Sequence, residues 1–364
     1  MSEIAALARE LRSEQDAPGA SLFLDLGGYT IAIGSNSDLL LQRLGDYFAE
    51  IVCRPEAPDI VVEALEGPPL GLPYDFSDWR RDPGKVGRKD SFYDLPGARL
   101  IRKVRTGMVF LQSQDFRIAS GPCLANDNQV INFVINQYMT WLQQQEWLIC
   151  HAAALGSERG TLALAGLSGG GKSTLMLRAM EQSGTTFISN DRLFLKREGS
   201  GDIEARGVPK MPRINPGTIV NNPRLWPLVS DEQRAGWAAL PPDQLWPLEE
   251  KYDAPIAPLF GQQRSAAAGR LLALLILNWR WDDPKETRLA PVSLAERPDL
   301  LPAIMKSPGP FYQLANGSFH DQMISPDPGA YLDLLSGTPV FEASGRADFD
   351  LAQRFIAEHI LCNA

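Results

Sequence analysis

The stretch GLSGGGKST, at positions 166–174, constrains the fold of this chain more than any other part of its sequence. Through Gly166, Gly171, Lys172 and Ser173 it satisfies the Walker A pattern G-x-x-x-x-G-K-[ST], and it follows the apolar run TLALA. Glycines let the backbone curl so that its N–H groups point at phosphate oxygens, at the positive end of the next helix. The stretch therefore predicts a strand, a phosphate-binding loop (P-loop) and a helix within an α/β fold.

Each residue type in this P-loop suits the binding of a nucleotide. Lys172 is expected to reach the β- and γ-phosphates as a point charge. The Ser173 hydroxyl is expected to be a ligand of the Mg²⁺ ion that bridges those phosphates. We therefore predict ATP and Mg²⁺ as cofactors. The predicted phosphate-binding residues are Gly166, Ser168, Gly169, Gly170, Gly171, Lys172, Ser173 and Thr174.

Composition narrows the classes of partner. The chain has 364 residues and a formal net charge of −9, whereas a duplex nucleic acid would need a concentrated basic face. The charged first residues, MSEIAALARELRSEQD, are unlike a signal peptide. The most apolar run, Leu271–Leu277, is far shorter than the ~20 residues needed to span a bilayer. We expect a cytoplasmic protein with no nucleic-acid partner and no membrane partner.

The length of 364 residues suggests about two domains, at ~150 residues each. Residues 1–120 are expected to form a small α+β domain, and residues 121–364 the P-loop domain, with further helices towards the C-terminus. Residues 65–97 are rich in Gly, Pro and Asp and predict a long loop. The other predictions are strands or hairpins over 21–33, 60–64, 99–112, 147–155, 161–165, 185–189 and 193–196, and helices over 37–52, 127–147, 172–182, 266–278, 294–305 and 348–361.

Asp191 is the acidic residue best placed to serve a nucleotide. It ends TTFISND and follows Lys172 by just enough residues for one helix and one strand. We expect it at the C-terminal end of a parallel strand beside the P-loop, as a metal-linked carboxylate. A helix or turn cap is the alternative role. This spacing differs from that of ABC ATPases, which need a long helical insertion there, and the chain lacks the N-K-x-D motif of GTPases.

These features together resemble HPr kinase/phosphorylase, whose nucleotide core is shared with ATP-dependent phosphoenolpyruvate carboxykinase. The resemblance covers about residues 148–215. It is carried by His151-Ala152, the P-loop, Ser189-Asn190-Asp191-Arg192, where the family usually has Asp-Asp-Arg, and Glu204-Ala205-Arg206-Gly207. Residues 207–218 and Lys251-Tyr252-Asp253 are similar to group B of the HprK-related kinases.

The resemblance implies a fold and an activity. The fold would be a P-loop kinase core of the HPr kinase and carboxykinase type, preceded by the smaller α+β domain. The activity would be transfer of the γ-phosphoryl group of ATP to a hydroxyl acceptor, with a small molecule slightly favoured over a protein serine. A nucleotide-binding regulatory module with little turnover is the alternative from another class. HPr kinases form hexamers, so a homo-oligomer is an open expectation.

Asn190 departs from the family pattern, which has an acid there as the general base. An amide cannot accept a proton. His151 or Asp191 would then take this role, or the reaction needs no strong base, or catalysis is lost. The resemblance implies that His151 orients the acceptor or shares its proton, and the alternative is a buried structural histidine.

Two basic residues and one acidic residue complete the candidate site. Lys210 and Arg213 lie in a loop with three prolines, which suits a preorganised cationic clamp on the transferring phosphoryl group. They could instead be solvated surface charges. Glu204 is a candidate second metal ligand.

Overall fold

A computed structural model of the chain describes residues 2–13, 20–54, 57–80, 87–167 and 169–361. The chain divides into two compact units. The first comprises residues 1–145 and 307–325, and the second comprises residues 146–306 and 326–364. This division differs from the sequence boundary near residue 120, because the long helix and a later segment belong to the first unit.

The described residues of the first unit form an eight-stranded sheet in the order β1-β2-β3-β8-β7-β6-β5-β4, in which β3 pairs in parallel with both β2 and β8. Helix α1 packs Leu7 and Leu11 into a core with Val109 and Leu111. The elements are α1 (Glu3–Ser13), β1 (Ala20–Asp25), β2 (Thr30–Ser35), α2 (Asp38–Tyr47), β3 (Ile60–Glu66), β4 (Ser77–Asp78), β5 (Asp90–Leu95), β6 (Ala98–Lys103), β7 (Val109–Ser113), β8 (Arg117–Gly121) and α3 (Asp127–Gln144).

Local sequence signals account for most of this unit. The β1–β2 hairpin turns at Gly27 and Gly28, which have φ values of 75° and 92°. Ser37 caps α2, since its side chain accepts a hydrogen bond from the Leu40 N–H at 3.3 Å. The expected loop over residues 65–97 was wrong in part, because it contains β4 and β5, whose order comes from pairing with each other and with β6.

The described residues of the second unit form a nine-stranded sheet in the order β12-β10-β11-β17-β14-β13-β9, with β18 and β19 joined through β17. The elements are β9 (Leu148–Cys150), β10 (Ala152–Ser157), β11 (Gly160–Gly166), α4 (Lys172–Ala179), β12 (Thr186–Ser189), β13 (Leu193–Arg197), β14 (Ile203–Gly207), β15 (Arg213–Ile214), α5 (Pro216–Val220), α6 (Asp231–Ala238), α7 (Pro242–Leu245), β16 (Tyr252–Asp253), α8 (Ile256–Phe260), β17 (Ala268–Arg280), β18 (Arg288–Pro291), α9 (Pro328–Leu335), β19 (Val340–Arg346) and α10 (Phe349–Phe355).

Strand β17 corrects the predicted helix over residues 266–278. Its apolar run pairs in parallel with β11 on one side and β19 on the other, so both neighbours satisfy its backbone. A short apolar run fits a buried strand and a buried helix equally well. Two more helices are predicted towards the C-terminus. The one over residues 294–305 is reduced to a 3-10 helix over Pro298–Ala303. The one over residues 348–361 is confirmed as α10 followed by a π-helical turn.

The order of three strands determines where the site residues lie. Strand β10 is antiparallel to both β11 and β12 and lies between them. Strand β12 therefore runs in the same direction as the P-loop strand, with β10 between them. The C-terminal ends of β11 and β12 and the start of β10 consequently meet at one edge of the sheet. Within the described ranges, no helix has the length and apolar character needed to cross a membrane.

Candidate nucleotide-binding site

The P-loop joins β11 to α4 through glycines with positive φ angles. Gly169 and Gly171 have φ values of 82° and 84°, in the left-handed region that favours glycine. Gly171 is the N-cap of α4, and a Cβ atom added to it would lie 2.4 Å from Phe349 Cζ. Ser168, one of the predicted phosphate-binding residues, lies outside the described residues. Glycine is therefore required at these positions by the backbone conformation and, at Gly171, by the close approach of Phe349.

A tryptophan fixes the middle of the loop. The Trp279 indole Nε1–H, on β17, donates a hydrogen bond to the Gly170 carbonyl oxygen at 2.9 Å. The Gly170 N–H in turn donates to the Leu167 carbonyl oxygen at 3.0 Å. These bonds hold two peptide groups of the loop in place. Trp279 thus anchors the loop through its indole N–H and need not stack on a ligand.

Replacing Trp279 with phenylalanine should weaken the binding of ATP about fivefold, because one hydrogen bond to the loop, worth about 1 kcal/mol, is lost. Calorimetric titration with ATP and Mg²⁺ measures this. Trp281→Phe is the matched control, since the Trp281 indole stacks on Trp246 instead. Equal loss in both variants would contradict the anchoring role.

The first residues of α4 point in different directions. Lys172 Nζ donates to the Gly166 carbonyl oxygen at 2.8 Å and so reaches back over the loop. Burial, together with the nearby Lys306 and Arg192 charges, lowers the pKa of Lys172 to about 8, although Asp191 opposes the shift. Thr174 is buried, and its hydroxyl bonds to the Thr218 hydroxyl at 2.8 Å, so only its backbone N–H could reach a phosphate.

His151 and Asp191 meet at the same edge of the sheet. The pairing of Ala152 with Ala165 places His151 level with Gly166, the last residue of β11. His151 Nε2 lies 3.1 Å from Asp191 Oδ1, and Arg192 pairs with the other carboxylate oxygen. Burial opposes the ionisation of Asp191, but Arg192, His151 and Lys306 outweigh it and lower the pKa of Asp191 well below its usual value. Asp191 is therefore ionised near neutral pH.

The protonation of His151 follows from its surroundings. Burial lowers the pKa of His151 below 6.5, and the Lys172 and Lys306 charges lower it further against the opposing Asp191. The ring is therefore neutral near pH 7. Because ionised Asp191 can only accept a hydrogen bond, the proton is assigned to Nε2 and the lone pair to Nδ1. This arrangement orients an imidazole that can accept a proton.

Asn190 supplies a buried acceptor next to this pair. Its Oδ1 atom is buried and receives no hydrogen bond from any residue that the structure describes. A buried polar atom without a partner costs about 1–3 kcal/mol, which a ligand's donor group could recover. Asn190, the residue that departs from the resembled sequence pattern, therefore carries a buried oxygen without a hydrogen-bond partner among the described residues.

The two residues of the predicted cationic clamp interact electrostatically with each other, and Lys210 also interacts with Asp191. Burial and the Arg192 charge lower the pKa of Lys210 to about 8, whereas Asp191 raises it, so Lys210 lies within electrostatic reach of Asp191. Arg213 instead pairs across the β15–β16 ribbon, with its Nε 3.2 Å from Asp253 Oδ1. Lys210 is the member of the clamp that is near the centre of the site.

Glu204 does not join Asp191. It lies opposite Lys196 on the β13–β14 ladder, about 10 Å along the strand from Leu193. Its carboxylate accepts a hydrogen bond from Arg206 at 2.9 Å. Among the described residues, no group of three or more His, Cys, Asp or Glu side chains could hold a metal ion.

Lys306 is the site residue that the sequence analysis missed. Its charge acts on Lys172, His151 and Asp191, although it is far from all three in sequence. It belongs to no motif, and its neighbours Met305 and Ser307 carry no functional signal. Only the fold brings it to this edge.

Comparisons with known proteins leave the family open. No family model matches the chain, and no curated protein matches it. A solved structure that it resembles is the Hpr(Ser) kinase/phosphatase from Coxiella burnetii, with 12% sequence identity and a TM-score of 0.30 over 58% of this chain and 89% of that chain. An overlap this low carries no conclusion about activity. The sequence resemblance to HPr kinase therefore stays a prediction.

Proposed function

We propose that this protein is a kinase that transfers the γ-phosphoryl group of ATP to a hydroxyl acceptor, slightly favoured to be a small molecule. The observation that carries the proposal is the meeting of the P-loop lysine, Lys172, with the hydrogen-bonded pair His151 and Asp191 at one edge of the sheet. A phosphate-binding loop and an oriented proton acceptor are the two parts that phosphoryl transfer to a hydroxyl needs.

The P-loop would bind the donor. The backbone N–H groups of Gly169, Gly171, Lys172 and Ser173, together with the Lys172 ammonium, would face the phosphates. The donor set for Mg²⁺ is one carboxylate, Asp191, and one hydroxyl, Ser173, without Glu204. This set fits, because Mg²⁺ is usually bound by one or two carboxylates with substrate phosphates and water completing its shell. The bound ion would neutralise charge on the phosphate oxygens.

His151 and Asn190 would serve the acceptor. The acceptor oxygen would bond to the γ-phosphorus while the bond to the β,γ-bridging oxygen breaks and ADP leaves. The hydroxyl proton would pass to His151 Nδ1, while Asp191 stabilises the resulting imidazolium. Asn190 Oδ1 would accept a hydrogen bond from a second O–H or N–H group, which favours an acceptor with more than one donor. Lys210 would counter charge on the transferring group, with Arg213 beside it.

His151→Gln should lower the transfer rate about tenfold, less than is usual for a general base because phosphoryl transfer is loose. The wild-type rate should fall as the pH drops through the lowered pKa of His151, since imidazolium cannot accept a proton. The variant should lose this acid limb and keep the wild-type affinity for ATP with Mg²⁺. Rates measured from pH 5 to 8 test this, and an unchanged acid limb would exclude the base role.

Asn190 favours a second candidate, a nucleotide-binding regulatory module with little turnover, because it stands where the resembled family has an acid. Incubating purified protein with radiolabelled ATP and a cell extract separates the candidates. A labelled soluble compound supports the small-molecule kinase, and a labelled protein band supports a protein-serine kinase. Tight binding of ATP without a labelled acceptor would support the module.

A further inference from the structure

The backbone just before Lys306 is attached to the start of the site. Met305 and Cys150 form an antiparallel bridge, and the His151 N–H donates to the Ile304 carbonyl oxygen at 2.7 Å. The segment that leads to Lys306 is therefore paired with Cys150, the last residue of β9, and with His151, which joins β9 to β10. The same pairing fixes the backbone of His151, through its bond to Ile304.

A buried tyrosine fixes Lys306 itself. The Tyr331 hydroxyl, on α9, donates to the Ile149 carbonyl oxygen at 2.6 Å and accepts from the Lys306 N–H at 3.1 Å. Tyr331 is only 1% exposed and packs within the core of the second unit. One hydroxyl thus bridges β9 and the backbone of Lys306, and it fixes the position from which the Lys306 side chain extends.

Like charges gather at this edge. Lys172, Arg192, Lys210 and Lys306 all interact electrostatically with Asp191. The Met305–Cys150 bridge and the bond from His151 to Ile304 place Lys306 at this edge, where its charge and that of Lys172 are close enough to repel each other. An anion bound between them would be attracted by both, and phosphoryl transfer depends on such charge neutralisation.

We propose that Lys306 binds the γ-phosphoryl group of ATP as a second lysine beside Lys172, and that Tyr331 is the positioning residue that holds it there. This inference rests on the proposed function. Lys306 would contact the group that moves, and its ammonium would accompany that group towards the acceptor near His151. Lys172, by contrast, would bind the β-phosphate as well and so would act on both ATP and ADP.

Comparison of a non-hydrolysable ATP analogue, AMP-PNP, with ADP tests this. Calorimetric titrations, each with Mg²⁺, use the full chain. Lys306→Ala should weaken the binding of AMP-PNP about tenfold and leave the affinity for ADP unchanged, because only AMP-PNP carries a γ-phosphoryl group. Tyr331→Phe should lower the same AMP-PNP preference about threefold, even with Lys306 present. Lys196→Ala, which removes a charge from β13, should change neither affinity.

The outcomes separate this inference from the proposed function. Loss of both ligands in Lys172→Ala supports the proposed function. The role of Lys306 is wrong if Lys306→Ala keeps the wild-type preference for AMP-PNP, or if it weakens the binding of AMP-PNP and ADP equally. If Tyr331→Phe lowers the unfolding temperature but keeps the preference, Tyr331 is structural only. If the wild type binds neither ligand, or Lys172→Ala binds both normally, the proposed function itself fails.

Discussion

Replacing Lys172 with alanine is expected to abolish phosphoryl transfer and to weaken the binding of ATP at least about a hundredfold. The lost interaction is a charge-assisted contact with the β- and γ-phosphates inside a partly buried site, worth about 3 kcal/mol. Lys172 Nζ already lies over the loop through its contact with the Gly166 carbonyl oxygen. Few other single changes should remove so much affinity without touching the core.

A comparison with two controls makes this result specific. Calorimetric titration with ATP and Mg²⁺ measures the affinity, and circular dichroism checks that Lys172→Ala remains folded. Lys196→Ala removes an equal charge from the same sheet and should bind ATP as the wild type does. If Lys172→Ala is folded and keeps more than about a tenth of the wild-type affinity, its assignment to the phosphates is wrong.

Gly171→Ala should have the second largest effect, on stability and on ATP binding together. The backbone φ of 84° disfavours any side chain by about 1 kcal/mol. The added methyl group would also lie 2.4 Å from Phe349 Cζ and 2.6 Å from Phe349 Cε1, so the ring or the loop must move. We expect a loss of about 3 kcal/mol in the free energy of unfolding and a smaller loss of ATP affinity than Lys172→Ala shows.

Gly169→Ala is the matched control for the steric part of this effect. Gly169 has a similar φ of 82°, but a Cβ atom there would meet nothing within 4 Å. Its free energy of unfolding, from urea titration, should fall by only about 1 kcal/mol. Adding Phe349→Leu to Gly171→Ala should recover part of the loss, which a double-mutant cycle would report as favourable coupling. Equal costs for the two alanine variants would contradict the clash with Phe349.

The strand–loop–helix unit could be predicted because its signals are local. Gly166, Gly171 and Lys172 sit within seven residues of one another, and apolar residues before them mark the strand. The same holds for the cap at Ser37 and the turn at Gly27, which depend on neighbouring residues alone. Strand β17 could not be assigned this way, because burial on both sides removes the alternation that distinguishes a strand.

Tertiary pairing determined the rest of the candidate site. Sequence motifs indicate His151 and Asp191 separately, but their 3.1 Å contact depends on β10 lying between β11 and β12. Lys306 depends on the Tyr331 hydroxyl, which the sequence separates from it by a segment that belongs to the other unit. Glu204 was placed by resemblance, and the β13–β14 register puts it elsewhere. Local patterns carry no information on such registers.

A crystal structure of the protein with AMP-PNP and Mg²⁺ tests the central claim most directly. We expect the triphosphate on the N–H groups of Gly169, Gly171, Lys172 and Ser173, with its γ-phosphoryl group between Lys172 and the His151–Asp191 pair. A nucleotide bound at another surface, or a P-loop that stays closed by its own contacts at saturating AMP-PNP, would contradict it.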